Sequence, residues 1–151
     1  MEVIRSLPEN AAALTELLYN SRSVWDYPED YANASKPLLR ITPSFIEENT
    51  VYQLIESGQT IAFYSFTAAE FGRELNNFWV ARGQQGKGFG TVLWRDAIKV
   101  ARENNWDPFF ILPDPGAESF YLRMGATRTG EILASRLPSG PRFQKLIFRI
   151  S

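Results

Sequence analysis

The chain contains no cysteine and no histidine in its 151 residues. The first absence removes disulfides, thiolate nucleophiles and cysteine-based zinc sites. The second removes imidazole bases and Ser-His-Asp triads. Acid–base work is therefore left to carboxylates, tyrosine, lysine, backbone groups or water. Neither sign of charge dominates: 16 Lys and Arg stand against 17 Asp and Glu, for a net charge of −1. There is thus no basic footprint for nucleic acid. No apolar run approaches the ~20 residues of a membrane span. Met1-Glu2-Val3-Ile4-Arg5 lacks the charged-then-apolar layout of a secretory leader. Repeats, low-complexity tracts and linkers are also missing. An apolar fraction of 44% and a charged fraction of 22% fit a soluble globular protein forming one domain over residues 1–151, with which a cytoplasmic setting is compatible.

What is present is a regular succession of patterns. Val3 to Leu7 is a short strand closed by Pro8, and Glu9 to Tyr19 carries Ala11, Leu14, Leu17 and Leu18 at helical spacing. Ser21 to Arg40 mixes Trp25, Tyr27 and Tyr31 with Asp26, Glu29 and Asp30, and reads as a loop or short helix facing a cleft. Thr42-Pro43 is an N-cap followed by proline at the first helical position, opening a helix to about Asn49. Thr50 to Glu56 and Gln59 to Ala68 form a hairpin about Ser57-Gly58. Glu74 to Val80 is the next strand and Gly88 to Asn104 an amphipathic helix. The apolar run from Pro108 to Leu112 reads as a strand buried on both faces. A helix from Pro115 to Met124 ends at Gly125, and strands over Thr127 to Ser135 and Phe143 to Ile150 close the chain. This order predicts a mixed α/β (α+β) domain around one largely antiparallel sheet.

The most informative stretch joins the fourth strand to its helix through Gln85-Gly86-Lys87-Gly88-Phe89-Gly90. Glycines at alternate positions let backbone N–H groups approach an anion without Cβ obstruction. The helix that follows adds its unpaired N-terminal amides and the positive end of its dipole. A phosphate-bearing ligand is the first hypothesis. The loop lacks the Gly-Lys-(Ser/Thr) ending of a P-loop, which argues against a nucleotide-hydrolysing enzyme of that type.

Two blocks together resemble the GNAT superfamily of acyl-CoA-dependent N-acetyltransferases. The first runs from Val80 through Arg82-Gly83-Gln84-Gln85-Gly86-Lys87-Gly88-Phe89-Gly90, like the family's strand-end valine and (Arg/Gln)-x-x-Gly-x-(Gly/Ala) loop. The second is Ala117-Glu118-Ser119-Phe120-Tyr121-Leu122-Arg123-Met124-Gly125-Ala126, like its Ala-x-x-(Phe/Leu)-Tyr-x-x-x-Gly helix. Asp114 stands where the family usually has Asn. The resemblance implies a sheet of six to seven strands flanked by about four helices, with a splay between the central strands. It implies acetyl-CoA as co-substrate and no metal. The diphosphate would rest on amides of Gln85, Gly86, Lys87, Gly88, Phe89 and Gly90 with Thr91 assisting. The pantetheine arm would pair with the strand at Trp79 and Val80 and reach Asp114 and Phe120.

By the same resemblance, the Val80 N–H polarises the thioester carbonyl, Tyr121 is the general acid and Glu74 the general base. An alkylamine of pKa near 10.4 is neutral only about once in 2,500 molecules at pH 7, so a proton must leave before attack. With no cysteine there is no acyl-cysteine intermediate, which favours direct attack in a ternary complex. The acceptor, an amine of a small molecule, peptide or protein, would meet Trp25, Tyr27 and Tyr31, with Asp26, Glu29, Asp30, Tyr64 and Phe66 as further lining. Aromatics among carboxylates suit a cation with an apolar part; Lys36, Arg40 and Arg82 equally suit an anion. A non-catalytic acyl-CoA-binding module is the alternative, and a homodimer through the last strand is compatible with the pattern.

Overall fold

Alternation along the central strands builds two cores on opposite faces of one sheet. The computed structural model describes residues 1–151. Its elements are β1 (Glu2–Arg5), α1 (Ala11–Arg22), α2 (Glu29–Leu39), α3 (Pro43–Glu48), β2 (Thr50–Glu56), β3 (Gln59–Ala69), β4 (Gly72–Val80), α4 (Phe89–Glu103), β5 (Phe109–Ile111), α5 (Glu118–Arg123), β6 (Thr127–Ala134) and β7 (Arg142–Phe148). The seven strands lie in the order β1-β2-β3-β4-β5-β7-β6. Only β4 and β5 run parallel; every other neighbouring pair is antiparallel. The mixed, largely antiparallel sheet matches expectation, with five α-helices in place of about four.

β3 sits in mid-sheet and is buried on both sides. Tyr64 and Phe66 point to one face and Phe63 to the other, all three with no exposed surface. The larger core lies under α4, whose Leu93, Trp94, Ala97, Val100 and Ala101 recur at helical spacing and are buried. Around Trp94 gather the rings of Phe78, Phe109, Phe120, Tyr121 and Phe148. The Tyr64 hydroxyl crosses the core edge to donate to Asp96 of α4 at 2.6 Å, giving the buried phenol its partner. On the opposite face Leu14, Leu17 and Leu18 of α1 meet Ile46 of α3, Val51 and Phe63.

Two local departures from the sequence pattern have plain causes. The region from Ser21 to Arg40 holds a full helix, α2, which tolerates Pro37 because it falls in the last turn and the helix stops two residues later. The fifth strand is three residues long rather than five. Pro108 and Pro113 bracket it, and neither has an N–H to extend a ladder. The final helix is likewise split, a 3-10 turn over Pro115–Ala117 leading into α5.

Phe109 packs edge-on against Phe66 and beside Trp94 and Phe148 and has no exposed surface. Phe109→Ala is expected to cost about 3–5 kcal/mol of stability through lost burial and a residual cavity, read from the midpoint of denaturant unfolding.

Candidate active site

The site begins where the two parallel strands part. β4 and β5 are in register at one position only, Glu74 opposite Phe110. Beyond it Leu112-Pro113 leaves the sheet while β4 continues to Val80, and a cleft of about 470 Å³ opens between them. Alternation sets what the gap exposes. The Ala81 N–H bonds the Ile61 carbonyl on the β3 side, so the backbone groups of Val80 face the other way. The Val80 carbonyl is met there by the Ser21 hydroxyl at 2.8 Å and the Gln85 side-chain amide at 3.1 Å.

A bulge adds a second polar group. Ser65 pairs with Asn77 and Phe66 with Leu75, leaving Asn76 as the extra residue. Its side chain accepts from the Ser65 hydroxyl at 2.6 Å; that hydroxyl accepts from Asn77, whose oxygen takes the Trp79 indole N–H. This chain of bonds orients Asn76 at the cleft wall. Asn76 and Ser21 were not anticipated. Two adjacent asparagines between Leu75 and Phe78 are a readable sign of a bulge, whereas Ser21 carries no local signal, lying 59 residues from its partner.

The glycine turn forms the outer end. Gly86 and Gly88 adopt φ of 78° and 86°, in the left-handed region, and Gly88 is the N-cap of α4. No side chain caps this helix, so its first amides are open to an anion. Gln85, Gly86, Gly88, Gly90 and Thr91 line the cleft together with Trp79, Val80, Asp114, Phe120 and Tyr121. The Lys87 and Phe89 side chains do not: Lys87 reaches back to Gln84, and Phe89 packs on the core. Gly90 presents its bare Cα to the Phe120 ring, where a Cβ would come within 3.3 Å.

Tyr121 is buried with its ring against Phe78, Trp94 and Phe120 and borders the cleft. Burial pushes its phenol above the usual range, and the Asp114 carboxylate pushes it further. Glu74 falls outside the cleft, since it marks the position where the strands are still joined. Burial raises its carboxyl above the usual range.

The segment between α1 and α2 folds over the inner end. Trp25 lines the cleft and lies so close to Gly116 that any Cβ there would overlap its ring. Tyr27 and Tyr31 stand behind, stacked edge to face, with the Arg22 guanidinium 4.9 Å from one ring centre and 5.4 Å from the other. The Tyr27 hydroxyl donates a short hydrogen bond to Asp114. Burial raises the Asp114 carboxyl, opposed by that bond and by Arg22. The expectation for the other acids is corrected: Asp26, Glu29 and Asp30 are exposed, and Asp30 accepts from Ser139. Tyr64 and Phe66 are corrected too, being sealed in the core. Of the proposed anion partners, Arg82 is taken up by the Ser23 hydroxyl, and Lys36 lies over Tyr19.

The sequence matches the model of the acetyltransferase (GNAT) family over residues 13–126. No curated protein matches it by sequence. Among solved structures, PaiA N-acetyltransferase from Thermoplasma acidophilum in complex with coenzyme A has a TM-score of 0.76 at 14% identity, covering 98% of each chain. The ribosomal-protein-S18-alanine N-acetyltransferase from Escherichia coli reaches 0.72 at 15% identity, with 99% of this chain and 94% of that one covered. A GNAT family acetyltransferase from Elizabethkingia anophelis with acetyl-CoA bound reaches 0.61 at 20% identity, with 83% and 92% covered. At these identities the likeness is one of fold.

Space is free around Gly88, so strain alone decides the effect of adding a Cβ. Gly88→Ala is expected to cost about 1–2 kcal/mol in thermal or denaturant unfolding. It should also weaken binding of inorganic pyrophosphate at the start of α4, measured by calorimetry.

Proposed function

Because the chain belongs to the GNAT acetyltransferase family, we propose that it transfers an acetyl group from acetyl-CoA to a primary amine by direct attack in a ternary complex. One observation carries the reading: both sequence blocks, the glycine turn and the Phe120-Tyr121 helix, border a single cleft where β4 parts from β5. The CoA diphosphate rests on the amides of residues 85–90, where two phosphates meet several convergent donors and a helix N-terminus. The pantetheine arm enters the strand gap and completes hydrogen bonds that β5 leaves unmade. Its carbonyl lies at the Val80 N–H, which is strengthened as negative charge develops on oxygen.

Tyr121 faces the departing sulfur. A thiol holds its proton to about pH 8.5 and a buried phenol to a higher pH, so Tyr121 serves first as a hydrogen-bond donor to the forming thiolate. It surrenders the proton only as charge accumulates there. The walls of Trp25, Phe78, Trp79 and Phe120 exclude water from this exchange. With Glu74 outside the cleft, its carboxylate acts as a base only through a relay of water.

The test is a panel of primary amines with acetyl-CoA, followed by thiol release. Acetylation of at least one amine class is expected. Failure to bind CoA would overturn the reading, and tight CoA binding without turnover on any amine would make the chain a binding module. Tyr121→Phe is expected to lower turnover by about 10²-fold while leaving the CoA dissociation constant within about twofold.

A further inference from the structure

Two charged residues line the cleft, Asp114 and Arg123, and they differ in setting. Arg123 is exposed at the rim on α5, whereas Asp114 is partly buried at the inner end. A carboxylate drawn into a low-dielectric wall is costly unless a cation or several donors meet it. Asp114 has one side-chain donor, the neutral Tyr27 hydroxyl, and no ion pair. The three ion pairs of the chain lie elsewhere, at Lys99–Glu103, Arg128–Glu118 and Lys145–Glu131. Arg22 is the counter-charge nearest in effect, but it stacks on Tyr27 and Tyr31 and does not itself border the cleft. It favours the ionised form of Asp114 from a distance, and no side chain other than Tyr27 hydrogen-bonds the carboxylate.

We propose that Asp114, steadied by Tyr27, is the docking point for the acceptor as an ammonium ion and receives its proton before attack. This deepens the acetyl-transfer reading and rests on it. The acceptor class that follows is a cationic primary amine with an apolar body, the body lying against Trp25 and Phe120. Val24, exposed beside Trp25, continues that apolar wall toward solvent.

The ammonium gives one proton to Asp114, and the nitrogen lone pair forms the C–N bond at the thioester carbon. The C–S bond breaks with its electron pair on sulfur, which takes the Tyr121 hydroxyl proton. The new amide nitrogen sheds its second proton, which restores Tyr121, and the Asp114 proton leaves with the products. Asp114 also couples the two ends of the reaction. Its negative charge is one cause of the raised Tyr121 phenol, so neutralising it with the amine's proton makes Tyr121 a better donor as the thiolate departs. Around this carboxylate the titratable and charged groups are Arg22 of α1, Tyr27 of the following loop, Tyr31 of α2 and Tyr121 of α5, with Arg123 at the rim.

The test compares the whole protein with Asp114→Asn and Tyr27→Phe, using benzylamine and its uncharged analogue benzyl alcohol as probes of the CoA-bound form. Wild type should bind benzylamine at least about tenfold more tightly than the alcohol. Asp114→Asn, nearly the same shape, should erase that preference when both probes are compared at saturating CoA. In turnover, the wild-type kcat/KM should level off once Asp114 is ionised. That of Asp114→Asn should fall at least about tenfold at pH 7 and keep rising with pH toward the amine's own pKa. Tyr27→Phe removes a bond that favours the ionised carboxylate, so the acidic limb should move to higher pH, a shift that mere loosening of the loop would not produce. Preference for the ammonium unchanged in Asp114→Asn, or an unchanged pH profile, overturns the proposal even in an active enzyme. Ammonium preference lost in Asp114→Asn with no transfer from acetyl-CoA in wild type upholds the cation site and overturns the acetyl-transfer reading instead.

Discussion

Parallel strands β4 and β5 touch in register once, at Glu74 and Phe110, and then separate. That divergence, at the centre of a seven-stranded sheet, leaves backbone donors and acceptors of β4 with no strand to satisfy them. Unmade ladder bonds in an apolar setting are costly, and the Val80 carbonyl is met in the gap by Ser21 and Gln85 in place of a strand. The proline on either side of β5 enforces the gap by ending its ladder after three residues. The position of Val80, the seating of the glycine turn and the placement of Tyr121 and Asp114 all follow from where these strands part.

The surroundings are built to hold that opening rigid. Trp94 lies under it within a cluster of aromatic rings that includes Phe78, Phe120 and Tyr121. The same rings line the cleft and fill the core, so the wall is as closely packed as the interior. On the other face the α1 cluster supports β3 and carries Ser21 to the Val80 carbonyl. The segment from Val24 to Tyr31 then closes the inner end with stacked rings, tied to α5's approach by Trp25 against Gly116 and by the Tyr27 hydrogen bond to Asp114.

Charge is distributed unequally along the cleft. The outer end offers the open amides of the α4 N-terminus, a positive setting suited to an anion. The inner end offers Asp114, an acceptor-only group when ionised, where an asparagine would also donate. A single substitution of O for NH₂ at this position changes what the site can bind and where a proton can go. Glu74, by contrast, is excluded from the cleft by the very pairing that defines its edge.

Much of this was legible in the chain. Element order and type followed from hydrophobic period and from Thr42-Pro43, Ser57-Gly58 and Gly125, because these are local preferences of the backbone. The glycine turn was legible for the same reason: Gly86 and Gly88 stand just before an amphipathic helix, and both adopt left-handed backbone. The acceptor end was not. Asp26, Glu29 and Asp30 share their sequence neighbourhood with Tyr27, yet they face solvent while Asp114, 87 residues from Tyr27, meets it. Ser21 and Asn76 entered the site through a distant carbonyl and a bulge. Sequence alone determined the elements and the glycine turn that opens α4, which depend on contiguous residues. Tertiary structure alone decided which carboxylate faces the cleft, because that depends on side chains brought together across the sheet at a gap no local pattern records.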